Sequence, residues 1–152
     1  MRTFSYTALP WRVVFGSGTT ASVSQEVLRL GAGRVLLVTG PDPKHRVAAV
    51  ADALGSLVVA RFDGAAMHTP TGITARAMEV AKANAVDCIV SVGGGSSTGL
   101  SKALAVRAGY VQVIVPTTYA GSEVTPVLGK TPDGMAELLG GALTGQRPSD
   151  GA

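Results

Sequence analysis

Cys88-Ile89-Val90-Ser91-Val92 runs without a break into Gly93-Gly94-Gly95-Ser96-Ser97-Thr98-Gly99-Leu100-Ser101-Lys102. The first five residues are apolar on both faces of an extended chain, apart from one serine, as in a strand covered on both sides. Three glycines then end the strand, and a helix from about Ser97 to Val106 opens behind them. A buried strand, a glycine turn and a helix together form one unit of an α/β fold.

The same alternation extends in both directions. Val35–Thr39, Leu57–Phe62 and Val111–Val115 read as further strands, the last stopped by Pro116, and Trp11–Phe15 reads as a strand ahead of them. Between them, Val23, Val27, Leu28 and Leu30 fall on one helical face after a cap at Thr20 or Ser22, and Gly31 ends that helix. Lys44–Leu54 repeats the pattern with Val47, Val50, Ala51 and Leu54 inward and Gly55 as its stop. Thr71–Asn84 does so with Ile73, Ala77, Val80 and Ala81. Gly40-Pro41-Asp42-Pro43 is a turn. The expected fold is α/β, a Rossmann-like parallel sheet flanked by helices and joined by right-handed crossovers. Residues 1–134 form the domain. Residues 135–152 are expected to be a poorly ordered tail without a further strand, with Met135–Leu139 as a helical turn at most.

The glycine loop carries the chemistry. Glycine has no Cβ to keep a phosphate from the main chain, and the first amides of a helix lack partners at the positive end of its dipole. Two familiar phosphate motifs fail here: Leu100, not Lys, follows Gly99, and Thr98 stands where G-x-G-x-x-G needs its last glycine. The plainer alternative is a turn that uses glycine for geometry alone. Position at the C-terminal end of a central strand favours a ligand. Lys102, four residues beyond Thr98, shares its helical face and is a candidate for holding cofactor phosphates or a substrate carboxylate; an exposed solubilising lysine is the alternative. Pro116-Thr117-Thr118-Tyr119-Ala120-Gly121-Ser122-Glu123, after the next strand, supplies hydroxyls and small residues to the same sheet edge.

Composition narrows the remaining classes. The 152 residues are 46% hydrophobic and 15% charged, which excludes charge-driven disorder. The single cysteine excludes a disulfide framework, and Cys88 reads as a small apolar core residue. Neither His45 nor His68 has a metal-ligand partner at suitable spacing, so no metal site is expected from this stretch. Net charge is only +3, its cations are scattered, and aromatics are 5%, which argues against nucleic acid. With no secretory signal and no apolar run of membrane length, the expected setting is soluble and cytoplasmic, with no membrane partner. There is no G-x-S-x-G elbow and no glycosidase-like carboxylate pair.

The two loops, at this separation, resemble the iron-containing alcohol dehydrogenase superfamily, which carries GGGS-x-x-D-x-x-K after one strand and P-T-T-x-x-G-S-E after the next. Gly93–Lys102 matches the first, with Gly99 at the aspartate position, and Pro116–Glu123 matches the second. The glycine at 99, the run from Pro116 to Gly129, the opening Leu9–Thr19 and the stretch Phe62–His68 are similar to the maleylacetate reductase branch. The resemblance covers about Phe4 to Gly134.

It implies NADH- or NADPH-dependent reduction of the carbon–carbon double bond of maleylacetate to 3-oxoadipate, in the breakdown of aromatic compounds, with a small dicarboxylate as substrate. Gly93, Gly94, Gly95 and Ser96 would then hold the diphosphate, Thr117, Thr118 and Ser122 the nucleotide, and Lys102 would lie near the nicotinamide or the substrate's charge. Gly40 falls where the family often carries an aspartate that reads the adenosine ribose; without that carboxylate NADPH is tolerated beside NADH. Family members continue into an all-helical domain that supplies iron or zinc ligands, and the intact member is expected to be a homodimer. That domain is absent from this sequence, and the family pattern stops after Gly134, so a truncated or frame-shifted product is expected, with very low reductase activity. The alternatives are a fragment of a metal-dependent alcohol dehydrogenase, or a non-catalytic nucleotide-binding fragment that exposes apolar surface and self-associates.

Overall fold

Four short runs rich in Val, Ile and Leu make the sheet: β1 (Val35–Thr39), β2 (Val58–Phe62), β3 (Cys88–Gly93) and β4 (Val111–Pro116). All pair in parallel, in the spatial order β2-β1-β3-β4. In the computed structural model, residues 11–41, 44–66, 69–125, 128–130 and 137–139 are described. β1 and β3 take the two central places and are buried along their whole length. The edge strands β2 and β4 are only partly covered. This is why the central pair reads as unbroken apolar sequence.

Alternate strand residues point to opposite faces and build two cores. On one face Val35, Leu37, Val90 and Val92 meet Val23 and Val27 of α1 (Val23–Arg29) and Val50 and Leu54 of α2 (Lys44–Leu54). On the other, Leu36, Val38 and Ile89 meet Ala77 and Ala81 of α3 (Thr71–Ala83) and Leu100 and Leu104 of α4 (Gly95–Ala108). Cys88 belongs to the first core; burial pushes its thiol up to about 12, so it stays a protonated packing residue at neutral pH. The sheet's N-terminal edge is tied by Asp87, whose carboxylate accepts the amides of Gly33 (3.0 Å) and Arg34 (2.8 Å). Arg34 in turn donates to the carbonyls of Asn84 and Ala85. No helix among the described residues is long and apolar enough to cross a membrane.

Helices α2 and α3 and all four sheet strands lie within about two residues of their expected bounds. α4 starts two residues earlier than expected, at Gly95, because a glycine can enter a helix without a side-chain cap. Other expectations need correction. Trp11–Phe15 forms no strand; both edges of the sheet lie elsewhere, and Val13 and Phe15 are exposed. Val23 and Val27 turn inward, whereas Leu28 and Leu30 are exposed, because two helical turns present only one narrow stripe to the sheet. Of the two expected caps, Ser22 and not Thr20 takes the N-cap position of α1, at the end of a 3₁₀ turn over Thr19–Ser22, but its hydroxyl donates back to the Thr19 carbonyl at 2.8 Å and makes no cap bond. In the tail, Glu137–Leu139 is a strand (β6), not a helical turn, and pairs antiparallel with β5 (Leu128–Lys130). The remaining tail residues, Asp42-Pro43 of the turn after β1, and Met67-His68 lie outside the described residues.

The irregular segment at 11–15 is anchored at one point. Arg12 donates twice to Glu26 of α1, at 2.7 and 2.9 Å, and Arg29 adds a third bond at 2.9 Å. The hydrogen bond from Arg12, followed by that from Arg29, draws the Glu26 pKa down from 4.5 to about 2. A depressed carboxylate stabilises the fold above its ordinary value of 4.5, and this contribution disappears as pH falls to about 2. At an exposed site the effect on stability is small, so the titration itself is the better readout. In carbon-detected NMR, the Glu26 carboxyl should titrate far below the ordinary glutamate value of 4.5 and return toward it in Arg12→Ala. An ordinary midpoint in the unsubstituted protein rules the anchor out.

Candidate functional site

The sheet order reverses between β1 and β3: the chain leaves β1 for β2 on one side, and β3 for β4 on the other. In open α/β sheets the crevice beyond the strand C-termini at such a reversal is where ligands enter. The residues that follow β1, β3 and β4 line this edge.

After β3, Gly93 adopts φ 146, a conformation closed to residues with a Cβ, and turns the chain off the strand. Gly94 is the N-cap of α4, and no side chain caps that end. The Thr98 amide closes the first helical bond onto the Gly94 carbonyl at 3.1 Å. Gly94 and Ser96 are half-buried and Gly95 is exposed, and a Cβ at Gly95 would meet nothing within 4 Å. The helix therefore presents its uncapped first turn to open space, the arrangement that receives an anion.

The loop after β4 lies alongside. The Thr117 amide donates to the Gly93 carbonyl at 3.0 Å, continuing the β3–β4 pairing beyond the strands. A Cβ built on Gly94 would stand 3.1 Å from the Thr118 hydroxyl. Gly93, Gly94, Gly95, Ser96, Thr117 and Thr118 are thus brought together, as the two sequence motifs anticipate. Gly40, directly after β1, is half-buried at the same edge. Ser97, in the first turn of α4, and Ser91 on β3 are buried, and neither hydroxyl has a partner among the described residues.

Lys102 is not the exposed lysine of the plainer alternative: it is buried, and its ammonium donates to the Thr125 carbonyl (2.7 Å) and the Ser122 hydroxyl (3.2 Å). It fastens α4 to the 3₁₀ turn at Ser122–Val124. Burial lowers its pKa, and Glu123 partly offsets that. Sequence spacing placed Lys102 on the face of Thr98 but could not show that the chain after β4 folds back over that face.

A cleft of about 530 Å³ opens between α2 and the loop after β4, and its lining includes Phe15, His45, Arg46, Thr117, Thr118 and Tyr119. Arg46 donates to the Thr117 carbonyl at 3.4 Å. Sequence reasoning passed over Arg46 and treated His45 only as a metal ligand. Their one signal was position, in the first turn of the helix after β1. Among the described residues no three His, Cys, Asp or Glu side chains converge to hold a metal ion, so these residues do not fit one.

Gly99 is a second close approach. A Cβ there would stand 2.6 Å from the hydroxyl of Thr69, a buried residue with φ 43. The glycine at 99 thus leaves room for the segment entering α3.

A model of the iron-containing alcohol dehydrogenase family matches residues 10–139. The chain is similar to the maleylacetate reductase of Rhizobium sp. strain MTP-10005, with 49% identity over 141 residues, 93% of this chain and 40% of that protein. Maleylacetate reductase 1 of Rhodococcus opacus is 54% identical over 131 residues, 86% of this chain and 37% of its own. The crystal structure of the Agrobacterium tumefaciens maleylacetate reductase superposes with a TM-score of 0.86 at 47% identity, covering 93% of this chain and 41% of that one. The chain therefore spans about 40% of the length of its relatives.

The contact at Gly99 has a measurable consequence. Gly99→Ala should destabilise the protein by about 1–3 kcal/mol, as overpacking does. Thr69→Ala removes the opposing hydroxyl, so the double variant should recover most of that loss in denaturant unfolding, with a coupling of about 1 kcal/mol or more. Strict additivity would show that the two residues do not meet.

Proposed function

The chain belongs to the iron-containing alcohol dehydrogenase family, and from that premise we propose that it is the cofactor-binding part of an NAD(P)H-dependent maleylacetate reductase, which converts maleylacetate to 3-oxoadipate. The observation that carries this reading is the pairing of the Gly93–Ser96 turn with Thr117 and Thr118 across the Thr117–Gly93 hydrogen bond, at the point where the strand order reverses. The similarity to maleylacetate reductases, at 49% and 54% identity, supports this substrate over a simple alcohol.

The residues present fit a dinucleotide. The uncapped start of α4 offers amides to a diphosphate, and its positive dipole end favours the charge. Gly94 and Gly95 let the diphosphate reach those amides, and Ser96 adds a hydroxyl. Ser97 holds a buried hydroxyl without a partner behind the same turn, available to the bound group or to a water beneath it. Thr117 and Thr118 would contact the nucleotide, and Gly40 would adjoin the adenosine ribose. When bound, the reduced nicotinamide supplies the hydride. Lys102 acts as a positioning residue: by holding Ser122 and Thr125 it fixes the far end of the loop that carries Thr117 and Thr118. Ser122 serves the nucleotide through that tie.

Titration of the purified protein with NADH should give saturable enhancement of the reduced nicotinamide fluorescence. Gly94→Val, which drives a branched side chain against Thr118, should weaken binding by about tenfold or more while leaving the far-UV spectrum unchanged. Reductase turnover should be very low; what there is should appear as loss of reduced nicotinamide absorbance with maleylacetate, and not as its gain from the oxidised cofactor with short alcohols. Absence of saturable NADH and NADPH binding would falsify the cofactor reading, and turnover of an alcohol alone the substrate reading.

A further inference from the structure

The cleft beside the glycine turn is electrically one-sided. Its described lining holds Arg46 and His45 and no carboxylate, among walls that include Phe15, Val92, Val115 and Tyr119. Arg46 and His45 stand exposed at the rim of these walls, where an incoming anion meets them first. Arg46 commits one N–H to a long 3.4 Å bond with the Thr117 carbonyl. A guanidinium has five donors in a rigid plane, and that plane matches the oxygens of a phosphate in pairs. The bond also fixes where Arg46 stands, against the loop that follows β4. Both basic residues lie in the first turn of α2, an 11-residue helix whose amide end adds positive charge of its own. The strand that leads to this helix ends in Thr39 and then Gly40, so no side chain at 40 contributes a negative charge beside the cleft.

An anion here is not the diphosphate, for which the start of α4 is already built. A cleft of about 530 Å³ with apolar and aromatic walls suits a flat heterocycle, and a cation at its rim suits a phosphate attached to that heterocycle's sugar. We propose that Arg46, assisted by His45, binds the 2′-phosphate of NADPH, and that the protein selects NADPH over NADH. This inference rests on the cofactor reading above and adds to it the identity of the preferred dinucleotide and the residues that choose it.

Equilibrium binding tests it without turnover. NADPH should bind the unsubstituted protein about tenfold or more tightly than NADH, as one paired charge-assisted contact provides. By calorimetry, 2′,5′-ADP should outbind 5′-AMP by a similar factor. Arg46→Ala should remove most of the preference while leaving NADH binding and thermal unfolding nearly unchanged, since Arg46 is exposed. Arg46→Lys should keep part of the preference, and Gly40→Asp should reverse it by setting a carboxylate against the phosphate. Equal loss of both cofactors in Arg46→Ala would place the guanidinium on the shared diphosphate and overturn the proposal. So would equal affinity of the unsubstituted protein for NADH and NADPH. If neither cofactor binds the unsubstituted protein, the cofactor reading fails and this inference fails with it. Binding of NADH alone overturns only the inference.

Discussion

One backbone hydrogen bond organises the C-terminal edge of the sheet. The Thr117 amide reaches the Gly93 carbonyl at 3.0 Å, one step past the last paired strand residues. It forms only because Gly93 leaves the strand at φ 146, a turn that a side chain would strain. With that bond in place, the loop after β4 runs beside the start of α4, and Thr118 closes against Gly94 so tightly that no Cβ fits comfortably between them. The Thr117–Gly93 bond carries the β3–β4 pairing one residue into the loops, beyond Gly93↔Pro116. The site is therefore a property of the pair of strands and not of either motif alone.

α4 depends on the same edge from its other side. It buries Leu100, Ala103 and Leu104, but also Ser97, Thr98, Ser101 and Lys102. A helix with so many buried polar groups needs partners on several sides. The sheet and α3 take the apolar residues; Gln112 of β4 accepts from Ser101 at 2.9 Å; and the turn at Ser122–Val124 with Thr125 takes Lys102. The ammonium thus exchanges water for a carbonyl and a hydroxyl, a trade that remains favourable only while the bonds are held. The helix whose amides the cofactor reading uses is thus tied to the sheet, to α3 and to the turn at Ser122–Val124.

Much of this was legible in the residues. The central strands announce themselves because burial on both faces demands apolar side chains throughout, and α2 and α3 because one face of each must meet the sheet. The two loops were legible because glycines and hydroxyls fall directly after strand ends. What failed did so where the outcome depended on the surroundings. Trp11–Phe15 has a strand's composition but pairs with neither edge strand, β2 or β4. Leu28 and Leu30 have a core residue's chemistry but lie beyond the stripe that α1 can cover. Lys102 carries no amphipathic signal, because the wall that buries it comes from residues 20 positions and more along the chain. Arg46 gave no signal for the same reason: it meets the Thr117 carbonyl across 71 residues.

The two sides of α4's N-terminus divide the work by chemistry. Toward α3, Gly99 gives way to Thr69, and space is filled by protein. Toward α2, the space between the loop after β4 and the first turn of the helix is left open, with aromatic and aliphatic walls and two basic side chains. A ligand that brings a strong negative charge to the glycine turn and carries a flat apolar group can satisfy both features only by lying along that second side, from the start of α4 toward α2. Gly40 sits at the end of the strand between, where a carboxylate would have favoured bare hydroxyls. With glycine there and a guanidinium across the cleft, the proposed diphosphate would meet amides at one end and the proposed 2′-phosphate would meet Arg46 at the other.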